Sequence, residues 1–337
     1  MNSYQLQQGD CLELMAKLPA HSVDLVLCDL PYGMTDFSWD KCVSLPDLWN
    51  EYRRVLKPCG LAVLFASQSF ALDLAASARP LYRYSLTWIK NQVTNPQNAK
   101  YQPLRRTEQI LVFTTPRPDN RAYFPKTRDY MLKERAKSGK TTTQLQALLG
   151  SCMTSHYFTS GGQFILPHEA AYTKLQSTGA FPLSYEQLRA MYEEERKSLP
   201  QMYPTYNPQG LKPHSRARTR NPRGAHDGFG TALCSQDVIH YEQKQTGYPD
   251  DLLYFDVEPA KERVHPTQKP VDLLEWLIKT YSNEGETVLD NCMGSGSTGI
   301  ACLKTGRRFI GMELDPCFFE IAQSRLGAAE RMAQQEA

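Results

Sequence analysis

The feature that most constrains this chain is the stretch Val288-Leu-Asp-Asn-Cys-Met-Gly-Ser-Gly-Ser-Thr-Gly-Ile300, with Phe309-Ile-Gly-Met-Glu-Leu-Asp315 after it. An apolar strand runs into Asp290, a glycine-rich turn follows, and residues 298–303 read as a helix opening. A second apolar strand over 309–312 ends at Glu313. In a βαβ unit of this kind the glycines let the backbone approach a ligand, the helix N-terminus presents free N–H groups, and a carboxylate ending the second strand can hold a ribose. Glu313 stands about 20 residues beyond Gly294, the spacing expected between glycine turn and ribose acid. The turn is not a conventional dinucleotide fingerprint and lacks the lysine of a P-loop. Such a turn can also serve tight strand-to-helix packing alone, so the rest of the chain has to decide.

With 337 residues the chain can bury a large core, as one domain plus an insertion or as two domains. No apolar run approaches the ~18 residues of a membrane span, and the N-terminus lacks a basic region before an apolar one, so a cytoplasmic location is expected. The nine cysteines are scattered without a Cys-x-x-Cys pair, and the seven histidines do not cluster with them. Neither a disulfide framework nor a structural zinc site is expected. Residues 126–226 carry 15 Lys/Arg against 7 Asp/Glu, whereas the remainder carries 23 against 29. A basic middle between acidic flanks points to a polyanion partner for the middle.

Taken in order, residues 9–19 read as a turn into a short amphipathic helix with Leu12, Met15 and Leu18 on one face. The apolar run 23–28 then stops at Asp29-Leu-Pro-Tyr-Gly33. Pro31 and Gly33 cannot continue a central strand, which puts Asp29 where strand meets loop, the place where ligands bind in open α/β sheets. A helix over 45–56 closed by residues 57–60, a strand over 61–65, a helix over 69–78 and strands over 84–90 and 109–114 continue an alternation that predicts a sheet with helices on both faces. Residues 91–106 read as a long polar loop without structure of its own.

From about 125 to 259 the alternation breaks. Three short helices are predicted over 129–137, 142–149 and 153–158, with Thr142 as a cap and Gly150 as the turn. That is the outline of a helix-turn-helix, and equally of a small helical subdomain. Ser184-Tyr-Glu-Gln187 is a capping-box pattern opening a solvated helix. Residues 212–223 hold five Lys/Arg and no acid, which suits a solvated loop or an arm that tracks a phosphate backbone. Pro270 is placed to open an amphipathic helix over 271–281.

Asp29-Leu-Pro-Tyr32, His265-Pro-Thr-Gln-Lys-Pro270 and the turn 290–298 together resemble the beta class of DNA amino-methyltransferases. In that family a catalytic tetrapeptide comes first, a target-recognition region second and the cofactor motif last, and this chain has that order. The resemblance covers roughly residues 1–115 and 255–320. It implies a Rossmann-like α/β methyltransferase with a mostly parallel sheet flanked by helices, circularly permuted. The catalytic half would occupy residues 1–124, a mainly helical target-recognition insertion 125–258, and the cofactor half 259–337. It further implies S-adenosyl-L-methionine as cofactor and double-stranded DNA as partner. A homodimer and a separate partner endonuclease are left open.

Carried across residue by residue, Asp29 matches the catalytic acid and Tyr32 the residue that stacks on the target base, with Leu30 and Pro31 completing the tetrapeptide. Asp10 matches an acidic position at the base pocket. Asp290, Cys292, Gly294, Ser295 and Gly296 match the cofactor turn, Glu313 the ribose acid, and Thr267 and Lys269 the stretch near the methionine moiety. Leu30 replaces the family's first proline, whose backbone carbonyl is the part used, and Cys292 stands where the family usually has Phe. For His265 a loop-capping role is the stronger reading. The implied activity is methyl transfer to the N6 amine of a flipped-out adenine, with cytosine N4 as the alternative base. A DNA-binding regulator that keeps the fold without turnover, and methylation of RNA or a small molecule, are the other readings.

Overall fold

The computed structural model describes residues 3–33, 42–94, 96–116, 124–151, 153–159, 164–198, 203–220, 239–259, 261, 263–264 and 267–336. The chain divides into two compact units, one of Met1–Pro116, Tyr203–Ser215 and Lys244–Ala337, the other of Arg117–Met202 and Arg216–Gln243. His265, Pro266 and the end of the basic run, residues 221–223, lie outside the described residues. None of the helices among the described residues is long and apolar enough to cross a membrane.

The first unit is built on an eight-stranded sheet of β1 (Tyr4–Gln8), β2 (Val23–Asp29), β3 (Leu56–Ala66), β4 (Tyr82–Thr94), β5 (Arg105–Thr114), β8 (Leu252–Tyr254), β9 (Thr287–Asp290) and β10 (Arg308–Glu313). Their order across the sheet is β1-β10-β9-β2-β3-β5-β4-β8. All neighbours run parallel except β5, which is antiparallel to both β3 and β4. The expected mostly parallel sheet with helices on both faces is therefore present.

Successive side chains of a strand point to opposite faces, and β2 shows what that does here. Val26 and Cys28 join a core with Met15, Leu48, Trp49, Tyr52 and Leu74, supplied by α1 (Cys11–Met15), α2 (Leu45–Val55) and α3 (Gln68–Ser77). Leu25 and Leu27 join the opposite core with Leu273, Leu277, Phe309 and Leu326, which involves α9 (Val271–Tyr281), α10 (Ser297–Lys304) and α11 (Pro316–Glu336). A strand covered on both faces reads as a continuous apolar run, which is why β2 is legible in the sequence.

Three local expectations need correction. Residues 91–106 are mostly ordered: β4 extends to Thr94, a 3-10 turn occupies Pro96–Lys100, and Thr94 pairs with Arg105 across an irregular hairpin. Their polarity reflects a protruding edge of the sheet, since Gln92 and Val93 are exposed. Residues 57–60 do not simply close a helix but already belong to β3, with Cys59 in the left-handed region at φ 61°. Pro270 caps α9 from outside rather than sitting in its first turn.

The second unit is helical by itself, with α4 (Pro125–Lys137), α5 (Thr142–Leu149), α6 (Thr154–Tyr157), α7 (Glu169–Gln176) and α8 (Tyr185–Ser198). Its core gathers Met131, Leu145, Leu149, Tyr157, Phe158, Tyr172, Phe181 and Leu188. Thr141, not Thr142, caps α5, forming a reciprocal box with Gln144, and Gly150 closes the helix at φ 66°. The box at Ser184 and Gln187 is present, with N–H to side-chain bonds of 2.9 and 3.1 Å. The segment after Gly150 offers only the single turn of α6, whose Thr154 and Tyr157 are buried. The basic run, whose residues are divided between the two units, forms β6 (Lys212–Arg220), paired with β7 (Ile239–Thr246) in a two-stranded ribbon rather than a loop.

Near the C-terminal end of α8, the Glu195 carboxylate accepts the backbone N–H groups of Lys126 and Thr127 at 2.7 and 2.9 Å and the Thr127 hydroxyl at 2.5 Å. These are donors that an isolated α4 would leave unsatisfied. Glu195→Ala is expected to destabilise this unit by about 2–3 kcal/mol. Denaturant unfolding followed by circular dichroism checks it, and an unchanged midpoint for the helical transition would remove the cap from the account.

Candidate active site

Because β1, β10, β9, β2 and β3 are parallel, their carboxyl ends share one edge of the sheet, and residues at those ends converge. Asp29 ends β2, Asp290 ends β9, Glu313 ends β10, and Asp10 lies just past β1, where the Gly9 N–H donates to the Glu313 carbonyl at 2.9 Å. β5 is antiparallel, so its first residues, including Glu108, come to the same edge. A cavity of about 640 Å³ opens there, lined by Asp10, Asp29 to Tyr32, Lys90, Glu108, Thr267 to Lys269, Asp290 to Ser295 and Glu313. It holds every candidate named from the sequence except Gly296.

At one end lies the glycine turn. Gly294 and Gly296 have φ of 50° and 78°, a conformation that costs glycine nothing and other residues strain. Asp290 is spent on the turn itself: its oxygens accept from the Thr298 hydroxyl at 2.6 Å and the Cys292 N–H at 3.2 Å. Burial pushes its carboxyl up to about 6 against those bonds. Glu313 is 8% exposed and accepts the N–H groups of Gly294 and Asp315, each at 2.8 Å, which locks the turn to the end of β10. Arg325 donates to the Ser295 carbonyl at 2.6 Å and its hydroxyl at 2.9 Å.

Gly296 is a packing requirement. A Cβ there would stand 3.0 Å from the Ala322 Cβ and 3.1 Å from Leu326 Cδ1. Gly296→Ala is expected to cost about 1–3 kcal/mol of stability, from the left-handed backbone and the crowding together. A thermal or urea unfolding curve tests this, and wild-type stability would contradict it.

At the other end stands a charged cluster. The Lys269 ammonium lies 2.5 Å from Asp29 Oδ2 and 3.1 Å from Glu108 Oε1, while Lys90 lies 2.6 Å from Glu108 Oε2. The Tyr32 hydroxyl points between the two carboxylates, 2.8 Å from Asp29 Oδ1 and 3.1 Å from Glu108 Oε1, and its ring stacks on Phe70 with centroids 4.9 Å apart. Burial alone would raise the Glu108 carboxyl, but the two ammonium groups hold it at about 2. Burial raises Asp29 as well; Lys269 opposes that rise and the neighbouring Glu108 adds to it. For Lys269, burial works against the charge, yet the two carboxylates raise it above its ordinary value.

Several sequence-derived residues thus have local work. Asp10 caps α1 through the N–H groups of Leu12 and Glu13. Lys269 pairs with the acidic cluster, and next to it Gln268 accepts the Val264 N–H at 3.1 Å. Glu108, Lys90 and Phe70 were not anticipated. The signal for Glu108 was a lone acid at the start of the apolar strand 109–114, but its significance depends on the reversed direction of β5.

The residues at the turn suit S-adenosylmethionine. Glu313 can accept ribose hydroxyls, the left-handed glycines bring backbone close to the cavity, and Leu314 and Phe318 add apolar walls beside a polar floor. The volume lies within the range of small-molecule sites.

Comparison with known proteins agrees with this geometry. Over 64 residues the chain is 47% identical to the type II methyltransferase M2.DpnII of Streptococcus pneumoniae, covering 19% of this chain and 24% of that protein. Over 75 residues it is 47% identical to YubD of Escherichia coli K12, named for a methylase resemblance, covering 22% of this chain and 33% of that one. The matched stretches thus span a third or less of these curated relatives. Among solved structures, M1.HpyAVI in complex with S-adenosylmethionine aligns over 96% of this chain and 98% of its own at a TM-score of 0.50 and 18% identity. The PvuII DNA methyltransferase, titled cytosine-N4-specific, aligns over 99% and 93% at a TM-score of 0.52 and 12% identity. Both share the Rossmann-like methyltransferase fold. The family model described as DNA methylase, covering N6 and N4 amino-methyltransferases, matches residues 23–324, and the chain belongs to that S-adenosylmethionine-dependent family.

Proposed function

We propose that this chain is a site-specific DNA methyltransferase acting on the N6 amine of adenine flipped out of a duplex. The observation that carries the reading is Asp29, a half-buried carboxylate at the end of β2 in the same cavity as the Gly294 turn and Glu313. S-adenosylmethionine, held by Glu313 and the turn from Cys292 to Ser295, supplies an electrophilic sulfonium methyl.

The exocyclic amine of a base is a poor nucleophile because its lone pair is delocalised into the ring. Asp29 and the Leu30 carbonyl accept its two N–H bonds, which favours a tetrahedral nitrogen with its lone pair free. A nitrogen–carbon bond forms as the carbon–sulfur bond breaks in line, and the positive charge developing on nitrogen is stabilised by Asp29, the nearest acceptor for the proton then shed. Holding both reactants in one cavity supplies much of the remaining acceleration. Since the amine is paired inside a duplex, the nucleotide must leave the stack, and Tyr32 offers an aromatic face at the entrance. Asp at position 29 supports adenine over cytosine, as the family resemblance implies.

Residues 125–258, whose helices form their own core, are proposed as the target-recognition region, with exposed Lys212 and Arg216 on β6 facing phosphate. The order of catalytic half before cofactor half is proposed as a circular permutation. A separate endonuclease partner is suggested by the type II methyltransferase relative. Digestion of treated, previously unmethylated genomic DNA to nucleosides, followed by mass spectrometry, is expected to give N6-methyladenine. N4-methylcytosine would keep the chemistry and overturn the choice of base.

A further inference from the structure

An amine docking on Asp29 meets a carboxylate already engaged on both oxygens, by the Lys269 ammonium 2.5 Å from Oδ2 and by the Tyr32 hydroxyl at Oδ1, and it competes with both for the charge. A buried lysine released without another partner would leave an uncompensated charge, which is costly. Glu108 supplies the other partner. It is 5% exposed, and its Oε1 already stands 3.1 Å from Lys269 and 3.1 Å from the Tyr32 hydroxyl. Its second oxygen is anchored by Lys90, which lies over the Trp88 ring at 4.6 Å. Both partners of Asp29 therefore have a second acceptor within hydrogen-bond range, held in place from β4.

We propose that Glu108 is a positioning residue that takes over the Lys269 ammonium and the Tyr32 hydroxyl when the target amine docks on Asp29. The proposal rests on the methyltransferase reading above. Glu108 touches neither reacting atom and acts through Lys269 and Tyr32. The charged and titratable groups facing this site are Asp29 from β2, Tyr32 from the following loop, Lys90 from β4, Glu108 from β5 and Lys269 from the segment before α9.

The test compares the full chain with Glu108→Gln and Glu108→Asp. With the glutamine the hand-over site loses its charge, and single-turnover methyl transfer to unmethylated genomic DNA is expected to fall by about tenfold to a hundredfold, the range for a hydrogen bond to a charged group. Cofactor affinity should stay within about twofold, since the bonds of Glu108 go to Lys90, Lys269 and Tyr32 and not to the glycine turn, and the aspartate variant should recover part of the rate. Asp29, freed of a like charge, should titrate at lower pH, read from the carboxyl carbon resonance in labelled protein.

That titration needs no turnover, so it reports on the network even if the wild type proves to methylate no DNA. A wild-type Asp29 titration in Glu108→Gln, or a rate within twofold of wild type, would overturn the proposal. So would a rate loss matched by equal losses of cofactor binding and thermal stability. Absence of transfer by the wild type with the titration shifted as expected would instead count against the methyltransferase reading alone.

Discussion

Asp29→Ala is expected to reduce methyl transfer by at least about a thousandfold while leaving cofactor affinity nearly unchanged. In the proposed mechanism the carboxylate accepts the amine N–H and stabilises charge on nitrogen, interactions that strengthen only as the reaction proceeds. Cofactor binding should survive because Glu313 and the Gly294 turn are fixed by their own bonds, to Asp315 and to each other. Folding should survive too, since Lys269 keeps Glu108 as a partner at 3.1 Å. Calorimetric titration with S-adenosylmethionine beside single-turnover kinetics separates the two effects. Transfer within tenfold of wild type would remove Asp29 from the chemistry, and parallel loss of binding would make it a structural residue.

The second large effect is expected from Lys269→Met, and it is a matter of pH. Burial and the neighbouring Glu108 raise the Asp29 carboxyl, and the Lys269 ammonium is the main force opposing that rise. In the proposed mechanism Asp29 must be ionised to accept the amine, so activity is expected to rise with pH through the Asp29 titration. Deleting the ammonium removes the opposing force, and the acidic limb of kcat/KM moves to higher pH. On that limb the rate should drop about tenfold for each unit of displacement, with recovery in alkaline buffer. A flat or unmoved limb would show that Lys269 does not set the charge state of Asp29.

Much of this fold was readable because its central strands are covered on both faces. β2, β3 and β9 carry apolar runs over 25–28, 61–66 and 288–289, and α9 has an apolar face with buried Leu273, Leu274, Leu277 and Ile278. Edge elements were not readable. β1 is Tyr-Gln-Leu-Gln-Gln and pairs only with β10, so it needs little apolar character, and β8 has three residues with only Leu253 buried. In the helical unit α7 went unseen because its cap is His168, whose ring nitrogen accepts the Ala171 N–H, and histidine is not a usual capping residue.

The site divides along the same line. Asp29, Asp290, Gly294 and Glu313 follow strand ends that the pattern of apolar runs makes visible. Glu108 and Lys90 meet them only because β5 runs against its neighbours and β4 lies beyond it, a long-range arrangement that no local spacing encodes. Tyr32 illustrates the limit further. Its place in the tetrapeptide suggests a stacking residue but not that its hydroxyl is bound between two carboxylates or that one face of its ring lies on Phe70.

The most direct test of the account offers methyl-labelled S-adenosylmethionine to the purified chain together with unmethylated duplex DNA, RNA and free nucleosides in equal amounts. Label is expected in duplex DNA alone, removable from the product as a methylated base and absent with Asp29→Ala. Label in RNA or nucleosides, or bound cofactor with no label transferred to any of the three, would contradict it.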